Sequence, residues 1–212
     1  MTNTIPSAEL SDNPLAAALS SGRVATEDLG PLAWHLNELV AANAASAALM
    51  AQRHHGSTMS AFYTVSAAAE QEAHQLLSPL IQAYPPPRDN ETSLDPLALA
   101  YPGQIARIAV TGTPWDYPVC FLHLCRPSTR NYRQLHQAMS NTSAFDDRQL
   151  EHFEFFGHLD EEEITAVQGL IADTPNTVLT RARELARQLA TCEQLFWERM
   201  VLLCTPRGAS GV

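Results

Sequence analysis

Burying a polar group costs free energy unless something pairs with it or uses it, so chemistry is sought where such a group falls on an apolar helical stripe. Glu193 is the clearest case. It lies four residues from both Leu189 and Trp197 and three from Phe196, so in a helix it points with the apolar face. A carboxyl held there is desolvated, which raises its pKa and suits a general acid or base. The plain alternative is a boundary glutamate paired with Arg187 or Arg199. Glu38 shares a face with Trp34, Ala41, Ala42 and Ala45, and reads either as an inward acid beside an aromatic or as part of a solvated face. Cys125 follows FLHL and precedes Arg126. It reads as a nucleophile whose thiolate the arginine favours, or as a small core residue. The fourth place is histidine and carboxylate material. His74 stands one turn after Glu70, and His152, His158, Asp160 and Glu163 share a later segment. Imidazoles and carboxylates from different helices are how a bundle holds a metal pair. Against that, His158 and Asp160 are two apart and cannot share a helical face, and Glu161 to Glu163 read as a solvated run.

The elements that must position these groups read as helices. Asn13 caps a short one that stops at Gly22, and Thr26 opens a long Ala/Leu-rich segment to about Gln52. Another begins at Ser57 and carries Phe62, Val65, Ala69, Ala73, Leu76, Leu77 and Leu80 before the proline-rich stretch from Tyr84 to about Ser93, read as a loop. Leu97 to Val110 and Pro118 to Leu124 follow, with Ser128 to Met139 as a surface-facing third. Asp146 to Ile171 reads as one helix with His152, Phe155, Phe156, Leu159, Glu163, Val167 and Leu170 on a stripe. The last helix is the most regular: Val178, Ala182, Leu185, Leu189, Cys192, Phe196, Met200 and Leu203 recur at spacings of three and four. Alternation with period two is rare and β-branched residues are scarce, so the pattern predicts an all-α bundle of about seven helices.

Composition narrows the function. The 212 residues suffice for one domain with a real core, here read as 1–212 with an ordered part from about 13 to 204. All 13 basic residues are arginine, which removes Schiff-base and P-loop lysines, and a net charge of −10 without a basic run argues against nucleic acid. The opening MTNTIPSAELSDNP has no positive region followed by an apolar one, and no apolar run approaches the roughly 20 residues a membrane span needs. The expectation is a cytoplasmic protein with no membrane partner. Cys120, Cys125, Cys192 and Cys204 form no C-x-x-C pair and read as free thiols.

The order of these features resembles the TenA-like group of the haem-oxygenase-like superfamily, which also holds PqqC-type and chlamydial-death-domain-associated oxidases. Three segments carry it. NPLAAALSSGRVATEDLGPLAWHLNELVAANAASAALMAQR looks like the family's opening. CEQLFWERM is similar to its C-terminal Glu-x-x-Phe-Trp signature, and FLHLCRPSTRNY looks like the stretch bearing its nucleophilic cysteine. The likeness runs from about Asn13 to Cys204. It implies that Glu193 is the catalytic acid, that Cys125 is the nucleophile, and that Glu38 stands where the family has the aspartate holding an amino-heterocycle. In the oxidase branch a late helix reads His, Asp, His, and this chain has Phe156, Asp160 and Glu163 there. His74 matches an upstream ligand whose companion glutamate is here Ala67. Hydrocarbon cannot coordinate iron, so no di-iron pair is expected, and a single iron on His74, Asp160 and Glu163 is the alternative. A third reading keeps the bundle as a non-catalytic binding or interaction protein.

Together these readings predict a closed cavity lined by Trp34, Glu38, Cys125, Glu193 and Trp197 that binds and hydrolyses a small, flat, nitrogen-containing molecule without a cofactor. The resemblance also implies a homodimer or homotetramer.

Overall fold

Prolines and capping side chains set the helix boundaries in the computed structural model, which describes residues 4–86 and 94–206. Asn13 accepts from the backbone N–H groups of Leu15 and Ala16 and starts α1 (Pro14–Ser20); the chain leaves it through Gly22 at φ +73°, a conformation that favours glycine. Thr26–Asp28 wind as a 3-10 turn, so α2 (Gly30–Arg53) begins four residues later than expected, with Pro31 in its first turn. Then come α3 (Ser60–Leu76) and a short α4 (Ser78–Ala83), divided where Pro79 enters. The rest is helical too: α5 (Ala100–Thr111), α6 (Asp116–Ser140), α7 (Asp147–Gly157), α8 (Glu161–Ile171) and α9 (Asn176–Cys204). Seven of these nine helices have eleven residues or more, and no strand occurs among the described residues, so the fold is the all-α bundle that the periodicity predicts. Most of the expected proline-rich loop, residues 87–93, lies outside the described residues.

Further expectations change. The segments Pro118–Leu124 and Ser128–Met139 are one continuous helix, α6, with Pro127 inside it. Proline has no N–H to give the carbonyl four residues back, which is that of His123. That carbonyl instead accepts the N–H of Ala8 at 2.7 Å, and the His123 ring Nδ1 lies 2.6 Å from the Pro6 carbonyl. The N-terminal segment therefore straps onto α6 at the vacated position. The second half of α6 is not surface-facing either, since Asn131, Tyr132, Leu135 and Met139 are buried. Another change is that Asp146–Ile171 divides. A capping box of Asp146 and Gln149 starts α7, and Asp160 starts α8 by accepting from the N–H groups of Glu162 and Glu163.

α6 packs against α1, α7 and α9, and α2 packs against α3 and α5. The buried apolar residues form two clusters, one around Leu36, Leu77, Leu135, Phe153 and Trp197, the other around Tyr63, Ile108, Val119, Leu179 and Leu189. The 29 residues of α9 run through both, with Leu189 and Ala190 in the second and Phe196 and Trp197 in the first. Glu193 sits on α9 between them. Among the described residues no helix is long and apolar enough to cross a membrane.

Candidate functional site

Where the clusters meet, polar side chains from several helices converge. α2 brings Asn43, α3 Glu70, α5 Tyr101, α6 Ser128 and Tyr132, and α9 Glu193 and Trp197, around an inner chamber of about 60 Å³. Glu70, Tyr101, Ser128, Tyr132 and Phe156 also line an adjoining cavity of about 560 Å³, so the two spaces share one wall. The larger is within the size range of small-molecule sites.

The polar atoms of the inner chamber lack partners inside the protein. Glu193 is 5% exposed and neither carboxyl oxygen accepts a hydrogen bond; the same is true of Oε2 of Glu70 and Oδ1 of Asn43, while Nε1 of Trp197 has no acceptor. Burial pushes the Glu193 carboxyl up to about 7, opposed in part by Ser128, Trp197 and Asn131, which face it without reaching ordinary hydrogen-bond geometry. Burial alone pushes Glu70 up to about 7. The surface that Glu70 retains faces the cavity it lines. Two carboxyls poised near neutrality in one chamber can each hold or release a proton at physiological pH. Tyr101 and Tyr132 beside them are held as neutral phenols, burial being the largest cause and Glu193 the next. His152 packs edge-on against Tyr132 and Phe156, with Nδ1 2.9 Å from the Ala73 carbonyl. Burial lowers its pKa to about 4, so this aromatic wall is uncharged.

Glu193 and Trp197 line the inner chamber, as the spacing on α9 predicts, and Cys125 lines the larger cavity. The alternative pairing of Glu193 with arginine does not occur: Arg187 bonds Glu184 and Arg199 bonds Asp95. Two expected residues lie elsewhere. Glu38 is exposed, because its neighbour Leu39 takes the inward position on α2 and the next residue is turned about 100° away. Trp34 donates from Nε1 to the Tyr84 carbonyl at 2.7 Å and borders a separate hollow near the start of α2. Nor is the cavity closed, since exposed Glu154, His158 and Asp160 form part of its wall.

The thiolate reading of Cys125 also changes. Arg126 is engaged by both oxygens of Glu161 at 2.5 and 2.6 Å, and burial pushes the Cys125 thiol up to about 11, so at neutral pH the sulfur is a protonated thiol. All four cysteines are free.

The alternative iron ligands do not gather. His74 Nε2 lies 3.3 Å from Oδ1 of Asn37, Asp160 caps α8, and only Asp160 and Glu163 share the cavity. Among the described residues no group of three or more His, Cys, Asp or Glu side chains is arranged to hold a metal, so these residues do not fit the iron site that the oxidase likeness implies.

Glu70, placed beside His74 among the histidine and carboxylate material, belongs instead to this chamber. Its signal was present: it lies three residues before Ala73 and seven before Leu77, both fully buried. Val65, on the expected stripe, is 56% exposed, and the buried face of α3 runs through Phe62, Tyr63, Ala73 and Leu77, closer to Glu70. No protein family, curated protein or solved structure matches this chain, and the site is read from its own geometry.

Proposed function

We propose that this is a small-molecule-binding protein of TenA-like plan whose cavity takes a compact nitrogen-containing molecule, an amine or amino-heterocycle, with its nitrogen at Glu193 and Glu70. The observation that carries this reading is Glu193: a buried carboxyl with both oxygens unpartnered, in the chamber beside the larger cavity. An N–H group satisfies such oxygens, and a flat ring stacks on the aromatic wall of Tyr132, Phe156 and Trp197. The chemistry is proton transfer, one carboxyl donating to a leaving nitrogen while the other accepts from an attacking water. Cys125 serves as wall and not as nucleophile, because its thiol stays protonated. Calorimetric titration of a panel of aminopyrimidines tests the reading. Wild type should bind at least one, and Glu193→Gln should weaken that binding about tenfold or more, the cost of losing one charge-assisted hydrogen bond. A panel that binds nowhere, or binds Glu193→Gln as tightly as wild type, overturns it.

A further inference from the structure

The larger cavity has more to it than the inner chamber requires. Much of its wall is apolar and aromatic, with Phe121, Leu124, Phe155 and Leu189 among the lining residues. Its outer end is acidic, with Glu154 on α7 and Asp160 and Glu163 at the start of α8. No arginine lines it among the described residues, and the chain has no lysine. Two nearby arginines are committed elsewhere: Arg126 to Glu161, and Arg133 to the Gly157 carbonyl through Nε at 3.2 Å and Nη2 at 2.9 Å. Acid in the inner chamber and at this outer end, with hydrocarbon and aromatic rings lining the cavity, is complementary to a molecule of one shape.

Resting on the reading of the inner chamber given above, we propose that the ligand class is an elongated diamine, one ammonium or amino group at Glu193 and Glu70 and the second at the mouth between Glu154 and Glu163. The mouth alone, with Glu154 and Asp160 exposed and Glu163 half-buried, would be an ordinary acidic edge. What makes it one end of a site is the buried Glu193 carboxyl, its oxygens unpartnered, in the adjoining chamber that shares Glu70, Tyr101, Ser128, Tyr132 and Phe156 as walls with this cavity. The apolar wall favours a methylene chain or a ring there by removing it from water, and the aromatic faces tolerate a passing cation. An anionic ligand is disfavoured throughout, since entry would bring it past three carboxylates with only His158 as a counter-group.

The test is calorimetric titration of the full chain with straight-chain α,ω-diamines of four to twelve carbons and with the monoamine of each length. Wild type, Glu193→Gln and the mouth variant Glu154→Gln/Glu163→Gln are compared, and circular dichroism confirms that each is folded. Asp160 is left in place because it caps α8. At one chain length the diamine should bind about fivefold or more tighter than its monoamine, the scale of one partly exposed ion pair. The mouth variant should erase that advantage and leave monoamine affinity unchanged, while Glu193→Gln weakens both. Equal affinity of diamine and monoamine at every length overturns the proposal, as does an advantage that survives in the mouth variant. If aminopyrimidines bind and no diamine does, the inner-chamber reading stands and this one falls; if nothing binds wild type, both fall.

Discussion

Substituting Glu193→Gln should make the protein more stable at alkaline pH and leave it nearly unchanged in acid. The carboxyl ordinarily titrates at 4.5 and is pushed up to about 7 in the folded chain. Below pH 4.5 it is protonated whether the chain is folded or not, and it costs nothing. As the pH rises the unfolded chain releases its proton first, so the folded state loses about 1.4 kcal/mol for each pH unit until the folded carboxyl ionises near 7. The loss then levels off at about 3 kcal/mol. Glutamine keeps the shape and cannot ionise, so it removes this loss. For a domain of this size about 3 kcal/mol corresponds to a rise in Tm of roughly 6–12 °C at pH 8, shrinking toward zero near pH 4.5. Urea or thermal denaturation of wild type and variant from pH 4.5 to 8 measures the difference directly. Two stability profiles that run parallel across that range would refute the reasoning, because they would mean that the Glu193 carboxyl ionises as freely in the fold as in water. A residue that destabilises its own fold at working pH is what a functional site often contains.

Other outcomes follow from neighbouring features. Glu70→Gln should show the same alkaline stabilisation, and because burial alone raises Glu70, the double variant should equal the sum of the singles to within about 0.5 kcal/mol, by denaturation at pH 8. Cys125→Ala should bind aminopyrimidines as wild type does, and Cys125 should alkylate far more slowly at pH 7 than a free thiol, read by mass spectrometry after a timed reagent pulse. Pro127→Ala supplies an N–H that competes for the His123 carbonyl, so the Ala8 amide should lose protection in hydrogen exchange while the rest of α6 keeps its own. Iron should not accompany the purified protein in stoichiometric amount, by elemental analysis, because His74 stands apart from Asp160 and Glu163.

How far the fold was legible depended on whether the apolar period coincided with the helix itself. On α9 the three-and-four spacing persists through one unbroken helix, and burial of Leu185, Leu189, Phe196 and Met200 follows it. Between α7 and α8 the same spacing misled. Phe155, Leu159 and Glu163 keep helical intervals although the chain turns between them, because both helices face the same cavity. The turn was written in a different signal, Asp160 followed at once by three glutamates, a cap with acid in the first turn. Pro127 misled in the opposite direction. A proline inside a helix removes one hydrogen bond, and here the freed carbonyl finds a donor 115 positions earlier, at Ala8, which no local rule anticipates.

The site was legible to the extent that one helix carries it. Glu193 and Glu38 presented the same argument, an acid near an aromatic on an Ala/Leu-rich helix. They differ by rotation: Glu193 falls between Ala190 and Trp197 on a face buried along its whole length, whereas Glu38 precedes the inward Leu39 by one residue. On α2 both neighbouring faces are rich in small and apolar residues, so the wheel could not say which was inside. The partnership of Glu193 with Glu70 is another matter. Those residues are 123 positions apart, and that both line one chamber is decided by how α3, packed on α2 and α7, and α9, packed on α6, are placed, which is tertiary packing and has no local pattern. What links them physically is the mismatch left behind. Glu193 is buried and Glu70 partly so, and neither the Glu193 oxygens nor the Trp197 indole N–H reach ordinary hydrogen-bond geometry within the protein, a mismatch that the nitrogen base proposed above would relieve.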